Sequence, residues 1–224
     1  PFMGGSPWTW VFPDVKAPVF HLTEQDGSGA VQVFQALRRS MEHLAIFRGV
    51  YKSHLPDVYG WYNPESDFSC GSCYLAAQNA GHVFISGGRF PSHRSDAVIY
   101  HELGHFAFEV LGGLSSEAGQ HCFGAPTLPG VAFSEGHAYW YSADRRRSGL
   151  LFIEVDGIFH AWDLDALTPA ESFGTPIPSA GPAQPLNESW VGAALWHLGK
   201  AYGESMAMHH AISLPEMQAP VASG

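Results

Sequence analysis

The segment His101-Glu102-Leu103-Gly104-His105 places two imidazoles four residues apart with a carboxylate beside the first. A helix turns once in about 3.6 residues, so positions four apart share a face and both rings can reach one ion. Glu102 then projects next to that ion, where it can take a proton from a water that a divalent metal has acidified. In a chain with 13 histidines, composition alone would produce this pattern about 0.04 times. The apolar residues around it, Ala97 to Tyr100 and Phe106 to Phe108, are those of a helix set into a core.

Zinc in a reactive site takes three protein ligands and leaves one position open, so a third ligand must come from elsewhere in the chain. Glu109 is one turn further along the same helix, but ligands at 101, 105 and 109 would span two turns, about 11 Å, too far for one tetrahedral ion. Position 111, where another zinc-peptidase pattern places histidine, is Leu111. His121 and Glu117 sit in a Gly/Pro-rich stretch with nothing in the sequence to orient them, and they remain alternatives. Glu135 is favoured, because Ser134-Glu135-Gly136-His137 reads as the opening of a second helix, with Ser134 as its cap and the carboxylate in a first turn.

These blocks resemble the gluzincin peptidases, the superfamily of thermolysin and fungalysin, which pair a His-Glu-x-x-His helix with a later helix opening in Glu-Gly. The matching stretches are Val98 to Phe106 and Phe133 to Tyr141, and more loosely Asn187 to Trp196 and Tyr74 to Gly88. The resemblance implies a zincin-like α+β metallopeptidase domain that binds Zn2+ through His101, His105 and Glu135. Glu102 would be the general base for hydrolysis of a peptide or protein substrate. It further implies that His82 to Ser86 is an edge strand that pairs with an extended substrate.

Two positions depart from the family pattern. Tyr139 stands where an aspartate usually orients a metal-bound histidine, and a tyrosine hydroxyl is a weaker partner for that task. The stretch Gln184-Pro185-Leu186-Asn187 lacks the histidine that stabilises the oxyanion in the thermolysin-like branch, a donor worth about 10²–10³ in rate. His197, Tyr202, His209, His210 and Tyr141 are the available substitutes. His137, two positions after Glu135, points about 200° away around a helix and is not expected to be a ligand. A second reading follows from these departures: a metal-binding zincin-fold protein with weak or no catalysis, acting as a binding module. A structural domain without metal is the third.

The elements needed to position these residues are legible as periodicities. Val19 to Leu22 reads as a short strand. A helix starts at Ser28, with Phe34, Leu37, Met41, Leu44 and Ala45 on its inner face, and ends near Gly49. Cys73 to Ala76 and His82 to Ser86 form a hairpin, and Asp96 to Val110 a helix closed by Gly112 and Gly113. A short helix runs from Ser134 to about Asp144, with Arg145 to Arg147 at its end where cations suit the dipole. Leu150 to Val155 and Ile158 to Ala161 form a second hairpin around Asp156-Gly157. After a loop over 172–185, a last helix begins at Asn187 with Val191, Ala194, Leu195, Leu198 and Tyr202 on one face. With no internal repeat, the 224 residues parse as a single catalytic domain. An N-terminal lobe, about 1–112, holds a twisted sheet and the active-site helix; a mainly helical C-terminal lobe, about 113–224, faces it across the cleft.

A net charge of −10 with 11 Lys and Arg leaves no basic stripe to neutralise phosphates, so nucleic acid is not an expected partner. No run approaches the roughly 18 apolar residues of a membrane span. Of the three cysteines, Cys70, Cys73 and Cys122, the first two are expected to pair in a loop disulfide. That pairing favours a secreted or cell-envelope location. The N-terminus itself lacks the basic and apolar regions of a signal peptide, and the start at Pro1 without Met fits removal of a leader or prosegment.

Overall fold

A computed structural model describes residues 28–51, 55–77, 80–110, 121, 126–166 and 186–202. The expected strand at Val19 to Leu22, Glu117, Cys122, the 172–185 loop and the paired histidines His209 and His210 lie outside them. The architecture is mixed α and β, with four α-helices and three small sheets among the described residues. Among the described residues no helix is long and apolar enough to cross a membrane.

The first helix, α1 (Ser28–Tyr51), lays Val33, Ala36 and Leu44 into the core, with Leu37 and Met41 against it. Phe34 is instead 60% exposed, so the buried stripe is rotated from the one the periodicity predicts. Strands β1 (Asp57–Asn63), β2 (Cys73–Ala77) and β3 (Ala80–Ser86) form one sheet in the order β1-β3-β2. The predicted hairpin is present, with Cys73 opposite Phe84. However, β3 also pairs in parallel with β1, Trp61 opposite Phe84. His82 to Ser86 is therefore a central strand, not the expected edge, and β2 borders the sheet on that side. The reason is the apolar content of β3: Val83 and Ile85 are fully buried against α2, and a strand covered in this way belongs in the middle of a sheet.

Helix α2 (Asp96–Val110) has the predicted bounds. Ser95 caps it, accepting the Val98 N–H at 3.4 Å, and Asp96 in the first turn binds Arg146 at 2.8 Å. Ile99, Leu103, Phe106 and Ala107 form the centre of the core with Trp140 and Tyr141. Short strand β4 (Pro126–Thr127) leads into helix α3 (Pro129–Arg146). This helix begins five residues before Ser134, the expected cap. Leu128 is the N-cap residue and Pro129 opens the first turn, where proline's fixed φ and missing N–H carry no penalty. Ser134 and Glu135 are consequently in the helix body. The basic residues at its end are as expected, with Arg147 in the left-handed region at φ 55° closing the helix.

Strands β5 (Leu150–Val155) and β6 (Ile158–Asp163) form the second predicted hairpin. Its turn places Asp156 at φ 50° and Gly157 at φ 77°, the paired positive angles of a type I′ turn, which Asp-Gly tolerates. Strand β7 (Leu186–Asn187), paired with β4, leads into helix α4 (Glu188–Tyr202). Asn187 caps this helix through the Ser189 N–H at 3.0 Å. Its buried residues are Glu188, Ser189, Gly192, Ala193, Leu195 and Trp196, whereas Leu198 is 43% exposed and Ala194 faces out. The predicted apolar stripe is therefore partly displaced, because α4 packs on α3 through its small residues: a Cβ on Gly192 would stand 3.1 Å from the Tyr139 Cβ.

Candidate metal centre

Helix α2 carries His101 and His105 on the side that faces α3, with ring centroids 4.9 Å apart and planes nearly perpendicular. One oxygen of Glu135, on α3, meets both rings: Oε2 lies 3.1 Å from His101 Nε2 and 3.3 Å from His105 Nε2. All three donor atoms fall within 4.8 Å of one another. Two ligands each about 2.1 Å from a tetrahedral ion stand about 3.4 Å apart, so these residues fit the donor set of one zinc ion. The structure thus brings together the three residues that the sequence nominated, although Glu135 is held from the middle of a helix and not from its first turn.

Ser134 has a different part from the cap expected of it. Its Oγ lies 3.3 Å from His105 Nδ1, the ring nitrogen away from Glu135, and such a partner fixes tautomer and ring orientation. Tyr74 of β2 stacks on the same ring at 6.5 Å and donates its hydroxyl to Glu109. His101 packs against Tyr139 at 4.4 Å. The Tyr139 hydroxyl, at the position where the family pattern has an aspartate, donates to Glu188 at 3.3 Å.

Glu102 is buried beside the cluster. Burial raises its pKa, against the lowering pull of the His101 and His105 rings, and a raised pKa keeps a carboxylate basic enough to accept a proton near neutrality. Burial also works against charge on Glu135, but His105 and His101 outweigh it and bring this pKa well below the ordinary carboxylate range. For His105, burial favours the neutral ring, and Glu135 overcomes it to raise the pKa. His137 is fully buried against Phe108 and Trp140 and outside the donor cluster, in keeping with its expected direction.

Two residues at this site were not assigned from the sequence. His121 is an alternative ligand in the sequence, with nothing there to orient it; in the fold it lies between two carboxylates. Its Nε2 is 3.3 Å from Glu135 Oε1 and its Nδ1 3.1 Å from Glu188 Oε2. The hydrogen bond with Glu188 is the main reason its pKa rises to about 8. Glu188, at the start of α4, is fully buried. The only sequence signal for it is its place in Asn187-Glu188-Ser189-Trp190, a block that resembles a later active-site helix.

A cavity of about 500 Å³ opens onto the site, lined by His101, Glu102 and Tyr139 and also by Val98, Leu151 and Trp162. The Cys70–Cys73 disulfide is formed, and Cys70 is among the residues that line this cavity. Compared with known family models, curated proteins and solved structures, the chain matches none.

Proposed function

We propose that this chain is a zinc-dependent peptidase of zincin type, in which His101, His105 and Glu135 hold the ion and Glu102 is the general base. The observation that supports this reading best is the convergence of His101 and His105 Nε2 on one oxygen of Glu135 from a separate helix. Zinc held there would polarise a carbonyl and lower the pKa of water.

The chain's own residues move the proton and bind the substrate. Glu102 accepts the proton of the attacking water and passes it to the leaving amine, a positioned proton transfer worth about 10²–10⁴ in rate. The cavity takes a side chain of the substrate against Val98, Leu151 and Trp162. Substrate pairing by strand addition falls to β2, since β3 is already paired on both sides. Tyr74 and Leu75 lie on β2, and Leu75 is 52% exposed.

The deciding comparison is wild type beside Glu102→Gln, with zinc content and hydrolysis of unfolded casein measured on the same preparations. The expected result is about one or more equivalents of zinc in both and at least a 10²-fold loss of hydrolysis in the variant. Zinc without turnover in the wild type would favour a metal-binding module, and absence of zinc would end the reading.

A further inference from the structure

We propose that the centre holds two divalent cations, with Glu135 as the bridge between them. This rests on the reading of His101, His105 and Glu135 as ligands of the first ion. The second site consists of His121, the other oxygen of Glu135, and Glu188.

The geometry carries the assignment. His121, Glu135 and Glu188 each bring one donor atom within 4.8 Å of the other two, as a separate group from the first. The two groups use opposite oxygens of the same carboxylate: Oε2 faces His101 and His105, while Oε1 lies 3.3 Å from His121 Nε2. A carboxylate shared in this manner is the usual link in two-metal hydrolytic sites, whose ions stand about 3.5–4 Å apart. Imidazole with carboxylate is also a mixed donor set that zinc and cobalt accept.

Charge supplies a second argument. Glu102, Glu135 and Glu188 are all buried, Glu188 at 0% exposure. Burying several carboxylates together is costly unless cations accompany them. The positive groups acting on Glu102 and Glu135 are imidazoles, and Glu188 faces His121 and the Tyr139 hydroxyl. One divalent ion offsets two of the three negative charges; a second offsets the third and leaves one positive charge, which a bound hydroxide would balance. Position agrees with this: Glu188 begins a helix whose capped N-terminus packs on α3, so its carboxylate is held by the fold. His121 alone comes from a connecting segment and would complete the second site on that rigid frame.

The test is a titration of the full-length, chelator-stripped protein with Co2+ and with Zn2+ near pH 7.5, read by equilibrium dialysis and, for Co2+, by electron paramagnetic resonance. Wild type should take up two equivalents, and His121→Ala and Glu188→Gln one each, with helical circular dichroism unchanged. At two equivalents of Co2+ the resonance should show spin coupling, which is absent at one. Wild type binding a single equivalent, unaltered in His121→Ala, would overturn the second site while leaving the proposed peptidase intact; His121 and Glu188 would then be hydrogen-bonding residues only. Two equivalents retained in both variants, or two uncoupled Co2+ ions, would also overturn it. If either variant fails to fold, the wild-type coupling decides. No metal uptake at all would overturn this inference and the peptidase reading together; where the wild type binds metal, His101→Ala should remove the first ion alone and so shows which site is filled.

Discussion

Gly104 and Ala138 are in contact across the α2–α3 interface so closely that a Cβ on Gly104 would stand 2.7 Å from the Ala138 Cα. Real side chains do not approach at that distance. The glycine inside the His-Glu-x-x-His segment therefore lets the two helices meet backbone to backbone, which brings Glu135 within reach of His101 and His105. On the far side of α3, Gly136 does the same toward α4: its Cβ would fall 2.8 Å from the Glu188 carbonyl oxygen.

Gly104→Ala should accordingly separate α2 from α3 and lengthen the distance between the histidines and Glu135. Overpacking of this kind costs about 1–3 kcal/mol, so the thermal midpoint should fall. Zinc affinity should fall with it, measured by competition with a chromophoric chelator. An unchanged affinity would mean that helix spacing does not set the site.

Ser134→Ala removes the hydroxyl that lies 3.3 Å from His105 Nδ1. Loss of such an orienting partner lowers metal affinity about 10–100-fold, and the lower end is expected for a neutral hydroxyl. Because Ser134 lies in the body of α3 and is not its cap, the melting temperature of the metal-stripped protein should barely change. A large loss of helix stability would restore Ser134 as a structural residue.

Val98, half-buried at the cavity wall, offers a way to test what the cavity accepts. Val98→Trp should fill part of the 500 Å³ space and reduce kcat/KM for substrates with large apolar side chains at least 10-fold, as pocket contacts of this size are worth about 1–3 kcal/mol. Substrates with small side chains should be affected less, and equal losses for both would place substrate elsewhere.

Acid should destabilise the fold through two buried histidines remote from solvent. Burial, with a lesser effect of Arg145, lowers the His43 pKa from 6.5 to about 3, and burial, with a lesser effect of His105, lowers that of His137 to about 3. Above pH 6.5 both rings are neutral in folded and unfolded chains alike. Below it the unfolded chain takes up protons that the folded one refuses, so stability falls by about 1.4 kcal/mol per pH unit for each ring. The raised pKa values of His105 and His121 act at higher pH, and their contribution is already complete below 6.5. Urea midpoints of chelator-treated protein at pH 6.0 and 5.0 should show the decline, and His43→Leu should lessen its slope. The raised pKa of Glu102 acts in the opposite direction as pH falls, so the variant decides: a slope unchanged in His43→Leu would contradict the lowered His43 value.

What the sequence determined is whatever a single helix or hairpin enforces. Spacing of four residues fixes His101 and His105 on one face of α2, the Asp156-Gly157 turn fixes the β5–β6 register, and the apolar runs of α2 fix its bounds, because each depends on neighbours a turn or a strand pair away. Glu135 was legible as a candidate on an expectation about Ser134 that the longer helix α3 replaces. The remainder depended on segments distant in the chain. The place of β3 between two strands was decided by β1, and the rotation of the buried stripes on α1 and α4 by the helices packed against them. Glu135 and Glu188 come together because glycines let α2, α3 and α4 pack closely, and His121, 67 residues before Glu188, joins them from outside these helices. Local periodicity carries no information about which distant polar groups such packing will bury together.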